Sequence, residues 1–148
     1  MKFISHKVAL ELFKIGFDEE CWAWFNLDHE TILNCYSENL PPKTPSLEAQ
    51  KYSMHNRSLK NICLPTYDQV TEWFRLKHNF LFVPCNDYYQ RNAEPPVIEY
   101  YFKMKNIRNV KLDVEPIKSS DYYYAFNAAI LIAANWLAAK HTNPENLI

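Results

Sequence analysis

The sequence predicts an α+β fold, with three helices packed on an antiparallel sheet of about four to five strands in the order α-β-β-α-β-β-β-α. Three observations predict it. Apolar residues recur at helical spacing in two capped segments, near residues 5–16 and 66–79. Apolar and polar residues alternate strictly from Ile98 to Lys105 and again from Val110 to Glu115, which is the period of half-buried strands. Near the C-terminus, the segment from Tyr122 to Ala139 carries no charge and is bounded by Asp121 and Lys140. Helices and strands that each bury one side need one another to close a core, and this segregated order suits an α+β arrangement.

Ser5 is placed to cap the first helix, and Gly16 to end it in a left-handed C′ conformation. Between them Val8, Ala9, Leu12 and Phe13 share an apolar face, with Lys7, Glu11 and Lys14 opposite. Cys21 to Leu27 is rich in aromatics and reads as a strand. Asp28-His29-Glu30 reads as a turn, and Thr31 to Tyr36 as the returning strand. Pro41, Pro42 and Pro45 forbid regular structure early in residues 37–61. The expectation there is a long loop, functional or flexible by its length, with at most a short helical turn from Ser46 to Tyr52.

Ile62-Cys63-Leu64 is a short apolar run that suits an edge strand. Thr66 and Gln69 then form a capping box. The helix they open has Tyr67, Val70, Trp73 and Phe74 on one face and Asp68, Glu72 and Arg75 on the other, with Asn79 at its C′ position. Phe80 to Val83 reads as a buried strand and residues 86–96 as a loop. Ile98, Tyr100, Phe102 and Met104 make the apolar face of the next strand, and Val110, Leu112 and Val114 that of its expected partner. A five-residue loop, Asn106 to Val110, would set Lys103 opposite Asp113 and so pair opposite charges. Ser119, Ser120 or Asp121 caps the final helix, which ends near His141, ahead of Pro144.

At 148 residues the chain is expected to form a single domain, 1–148, large enough to need no disulfide or metal staple. The single glycine, Gly16, excludes the phosphate loops of nucleotide-binding folds and the glycine-flanked serine of a nucleophile elbow. A net charge of −1 gives the whole molecule no electrostatic pull toward nucleic acid or a membrane surface. Cys21, Cys35, Cys63 and Cys85 are widely spaced and form no CxxC. With no apolar h-region at the N-terminus, the expectation is a cytoplasmic protein with reduced, mostly buried thiols. The charge-free terminal segment sits at the lower length limit for a membrane span, and Asn127, Asn135 and its three tyrosines favour a core helix instead.

Two stretches carry a resemblance. Pro65-Thr66-Tyr67-Asp68-Gln69-Val70-Thr71-Glu72-Trp73-Phe74-Arg75 resembles a PTYQQVIDWFREKH segment, and the helix opening at Asp121-Tyr122-Tyr123 resembles a DYYEALNKAIEEALKLI tail. Both segments are found in a family of small proteins of gut anaerobes and their phages or prophages. Lys2-Phe3-Ile4-Ser5 and Gly16-Phe17-Asp18-Glu19 are similar to that family's start. The resemblance implies a phage-like background and no particular activity. It also isolates a difference. The family tail carries charge where this chain has Tyr124, Ala128, Leu131 and Ile132, and lysine where it has Asn135.

On a helical wheel Phe126, Ala129, Ile130, Ala133 and Leu137 form the natural core face. Tyr124, Ala128, Leu131, Ile132 and Asn135 lie on the side that a lone helix would leave solvated. Those five are the expected interface, with a homodimer through the C-terminal helix as the leading partner and a further protein partner left unidentified. The alternative is a nucleic-acid surface on the Tyr101–Lys111 hairpin, built from Tyr101, Lys103, Lys105, Arg108 and Lys111. Asp113 and Glu115 dilute that stripe.

Cys21, His29 and Cys35 match no structural zinc spacing, so no metal is expected. Cys63, ahead of a helix N-terminus, and the five histidines do not by their spacing define a nucleophile and base. Asp68 and Glu72 suit a solvated helix face, and Trp73 a core. No catalytic residue, cofactor or enzymatic activity is therefore expected, although an enzyme with no recognisable motif is the remaining alternative.

Overall fold

A computed structural model of the chain describes residues 2–19, 21, 23–27, 30–34, 61–90, 92, 94, 95, 97–106 and 114–142. Among them the order is α1 (His6–Lys14), β1 (Ala23–Asn26), β2 (Thr31–Asn34), β3 (Asn61–Leu64), α2 (Tyr67–His78), β4 (Phe80–Gln90), β5 (Val97–Asn106) and α3 (Tyr122–Thr142). The fold is α+β, but the described strands form two antiparallel sheets, of three and two strands, and not the single sheet expected. The order is α-β-β-β-α-β-β-α. The described chain divides into two compact units, Met1–Val70 and Thr71–Ile148, and the division falls inside α2.

In the first unit Ser5 caps α1, its side-chain oxygen accepting from the Val8 N–H at 3.4 Å. The helix closes as a Schellman motif. The Phe17 N–H donates to Leu12 O and the Gly16 N–H to Phe13 O, both at 3.0 Å, with Gly16 at φ +90°. An added Cβ on Gly16 would meet nothing within 4 Å, so any cost of a side chain there is one of backbone conformation. Gly16→Ala should therefore destabilise the chain by about 1–2 kcal/mol, read as a lower urea midpoint, and an unchanged midpoint would contradict this. Val8, Ala9 and Leu12 are buried as expected. Phe13 is exposed instead, while Phe17, just past the cap, is buried. The chain reversal at Gly16 brings in a residue that a straight helical wheel does not count.

β1 lies at the centre of the order β2-β1-β3. It pairs Asn26 with Thr31 on one side and with Asn61 on the other. Glu30 closes the hairpin turn at φ 50°, while Asp28 and His29 lie outside the described residues. β3 is an edge strand as expected, yet Ile62, Cys63 and Leu64 are all buried. α1 packs against β3. Beyond the strand's end the Ile4 N–H donates to Pro65 O at 3.1 Å, and Phe3 bridges Thr66. Residues 37–60 of the loop expected over 37–61, its helical turn at Ser46–Tyr52, and Cys35 and Tyr36 at the end of the hairpin lie outside the described residues, while Asn61 belongs to β3 and not to the loop.

The capping box opens α2 as expected. The Gln69 N–H donates to Thr66 Oγ1 at 3.2 Å, and the Thr66 N–H to Gln69 Oε1 at 2.9 Å. Thr66→Ala should cost about 1 kcal/mol in chemical denaturation. No loss would mean that the cap is redundant. Tyr67, Val70, Trp73 and Phe74 are buried and Asp68, Glu72 and Arg75 exposed. Arg75 Nε donates to Glu72 Oε2 at 3.0 Å and holds that carboxyl below its usual range. Asn79 takes the left-handed C′ conformation at φ 57°.

In the second unit β4 and β5 form a long ribbon, from Phe80 opposite Asn106 to Gln90 opposite Val97, with a bulge between Tyr88 and Gln90. Residues 86–90 are thus strand and not the expected loop. Pro84, Asn86 and Asp87 are strand-poor residues that mask it in sequence. Pro84 is tolerated because β4 pairs on one side only among the described residues. β5 keeps the expected alternation, with Phe102 buried and Lys103 and Lys105 exposed.

The described partner of β5 is β4, which sets Lys103 opposite Val83, while Asp113, its expected partner, lies outside the described residues. Residues 110–113 of the expected returning strand lie outside the described residues, while Val114 and Glu115 are exposed and in no strand. On that edge Tyr100 and Ser119 exchange backbone hydrogen bonds of 2.7 and 3.0 Å.

Asp121 is the cap of α3, its Oδ1 accepting from the Tyr123 and Tyr124 N–H groups at 2.9 and 3.1 Å. The helix lies on β5, with the Phe126 and Phe102 rings stacked at 4.2 Å and 12°. Phe82 also reaches Phe126, at 5.9 Å, and Phe80 reaches Trp136, at 5.3 Å. None of the described helices is long and apolar enough to cross a membrane.

Candidate functional site

The residues available for contact on α3 follow from which of its sides is spent on the core. Ala125, Phe126, Ala129, Ile130, Ala133, Ala134 and Leu137 are buried and occupy about half the circumference. All five expected core-face residues are among them. On the other half, Tyr124 is 63% exposed and Asn135 is exposed, while Ala128, Leu131 and Ile132 are half-buried. The five expected interface residues therefore share one side of the helix, and none is buried. Asn127, Ala138 and Ala139 complete that side. No charge lies on it between Tyr122 and Ala139. Near the helix start Tyr123 and Ile117 are also exposed apolar groups.

The outer face of the ribbon is the second candidate. Its cross-strand pairs are Leu81 with Lys105, Val83 with Lys103, Cys85 with Tyr101 and Asp87 with Glu99. The face is thus polarised, with Lys103 and Lys105 toward one end and two carboxylates at the other. Arg108 and Lys111, the remaining members of the expected nucleic-acid stripe, lie outside the described residues.

Lys118 was not singled out by sequence. Its Nζ donates to Asp87 Oδ2 at 2.8 Å and lies 5.1 Å from the centroid of the Tyr101 ring. Asp87 holds the ammonium above its usual range. Lys103 lies 6.0 Å from the same ring. A stacking platform for bases needs a bare aromatic face, and this one already carries a cation. Nothing near Lys118 in the sequence signals the pairing, because Asp87 is reached only through the fold of the ribbon.

Of Cys21, His29 and Cys35, whose spacing matched no zinc pattern, Cys21 is buried, and His29 and Cys35 lie outside the described residues. Among the described residues no group of three His, Cys, Asp or Glu side chains is arranged to hold a metal ion. Cys63 is not near-solvent as a helix-proximal nucleophile would be, but is buried and hydrogen-bonded to Cys21. That bond lowers the Cys63 thiol from its usual range against the opposing effect of burial. Asp68 and Glu72 stay on the exposed face of α2, and Trp73 is buried with its ring edge-on to Phe74 at 5.1 Å.

Against protein-family models, curated proteins and solved structures, the chain shows no match.

Proposed function

We propose that the chain is a small non-catalytic module that works through protein–protein contacts, and that a second copy of itself is the partner of the α3 surface. The observation that carries this reading is the uncharged outer side of α3, with Tyr124 projecting from it at 63% exposure. A two-fold interface brings a patch against its own copy, so any charge on the patch would meet its like. A helix side with no group that is charged at neutral pH avoids that repulsion. Asn135 adds an exposed amide that carries both donors and an acceptor, and so can pair with its own symmetry mate.

The phage-like background that the resemblance implies is the setting proposed for the module, with the cytoplasm as its location. Co-purification tests the reading. Two copies bearing different affinity tags, co-expressed at full length, should elute together, and Tyr124→Glu in both copies should separate them. Separate elution of the wild-type copies would refute it.

The nucleic-acid reading rests on Lys103 and Lys105, and the ion pair and ring contact of Lys118 weigh against it. The expected result is no salt-sensitive retention on single-stranded DNA or RNA columns. Retention that falls steeply with salt and disappears in a Lys103→Ala, Lys105→Ala variant would instead favour it.

A further inference from the structure

A second copy can meet the outer side of α3 in two ways. A two-fold axis along the helix sets the two helices parallel, and one across it sets them antiparallel. The order of residues on that side distinguishes the two. Leu131 sits midway. Asn127 and Asn135 lie four residues to either side of it, and Tyr124 and Ala138 seven residues to either side. All five fall within about 40° of one another's mean direction on the helical wheel. Tyr124, Asn135 and Ala138 are exposed, and Asn127 and Leu131 are half-buried.

We infer that the α3 helices of two copies pack antiparallel, with the two-fold axis crossing the contact at Leu131. The inference rests on the self-association proposed above and assigns its direction.

Size favours this direction. In an antiparallel pair centred on Leu131, the Tyr124 ring of each copy lies level with Ala138 of the other, a large group over a small one at both ends. A parallel pair sets Tyr124 on Tyr124 and Ala138 on Ala138. The rings would then hold the helices apart at one end and leave the alanines without contact at the other, which close packing does not tolerate. Polarity follows the same order. Asn135, which a parallel pair would set against its own mate, comes level with Asn127 of the second copy, so amide meets amide across the contact.

Charge points the same way. The Tyr122 ring lies 5.5 Å from Tyr100, so α3 starts at the end of the ribbon that carries Glu99 and Asp87. The Trp136 ring lies 5.3 Å from Phe80, so α3 finishes at the end that carries Lys103 and Lys105. Asp121 is exposed at the start of the helix, and Lys140 is exposed at its finish, its ammonium 5.2 Å from the centroid of the Trp136 ring. The backbone dipole puts partial positive charge at the start and partial negative charge at the finish. Antiparallel packing brings opposite ends of each of these charge distributions together, and parallel packing brings like ends together.

Disulfide trapping in the full-length chain tests the direction. A trapped pair needs Cα atoms within about 7 Å. In the antiparallel pair Asn135 is about 12 Å along the helix from its own mate, whereas Leu131 is level with its mate. Copies carrying Tyr124→Cys and copies carrying Ala138→Cys, with different affinity tags, are co-expressed and oxidised, and peptide mass spectrometry assigns each link. The expected result is a link from position 124 to position 138 between copies, a link from 131 to 131 in Leu131→Cys, and none from 135 to 135 in Asn135→Cys. Links at both 131 and 135 would overturn the inference in favour of a parallel pair and leave self-association through α3 standing. Absence of the 124–138 link in a protein of twice the chain mass by light scattering would also overturn it. A wild-type protein of single-chain mass would overturn the inference together with the self-association on which it rests.

Discussion

Phe74→Ala lowers the unfolding free energy by about 3–5 kcal/mol, the range for truncating a buried aromatic to a methyl group. Phe74 is 0% exposed. Its ring meets Phe82 edge-on at 5.2 Å and lies 5.1 Å from Trp73 and 6.0 Å from Phe80. Three large rings fixed on a helix and a strand cannot collapse into the space that a lost phenyl leaves, so the cavity term adds to the transfer term. Domains of ordinary stability have about 5–15 kcal/mol in total, so the variant should unfold at a much lower urea concentration. Leu76, two residues on, is 62% exposed and serves as the control. Leu76→Ala should change stability by no more than about 0.5 kcal/mol. Similar losses from the two variants would mean that the inward side of α2 has been wrongly assigned.

Glutamate at two adjacent positions of α3 should give opposite outcomes. Ile130 is fully buried, and Ile130→Glu would place a carboxylate in an apolar core with no partner, a cost of several kcal/mol that should abolish cooperative folding. Leu131 is half-buried on the uncharged side. Leu131→Glu can keep its carboxylate in water within a single chain, so circular dichroism and the urea midpoint of the monomer should change little. In a two-fold dimer the same substitution brings two carboxylates together in an apolar contact, and the dimer should dissociate. Unfolding by both variants would place Leu131 in the core. Tolerance of both, with no change in association, would remove α3 from the interface.

The parts of this fold that were legible in sequence are those set by local chemistry. Ser5 with Gly16, Thr66 with Gln69, and Asp121 satisfy or terminate helix ends within a few residues of themselves, and each does so in the structure. Period also carried over, because the inward sides of β5 and α3 follow from alternation and from the helical wheel. The parts set by chain reversal and distant pairing did not carry over. Alternation in β5 says which side is buried and nothing about which strand lies beside it, so β4 was missed as its partner. Pro84, Asn86 and Asp87 concealed how far β4 extends.

Phe13 and Phe17 exchanged roles because the Schellman turn changes the direction of the chain. That Tyr124, Ala128, Leu131, Ile132 and Asn135 share the outer side of α3 was legible, since it follows from the same wheel. The contact of Lys118 with Asp87 and of Cys21 with Cys63 joins residues 31 and 42 positions apart, and no local rule could supply either.

The central claim is that the uncharged side of α3 meets its own copy. Multi-angle light scattering on the full-length protein, over a micromolar concentration series at physiological salt, tests it most directly. The predicted result is twice the mass of one chain for the wild type, falling to a single chain for Leu131→Glu with the circular dichroism spectrum unchanged. A wild-type chain that stays monomeric across the series would contradict the claim.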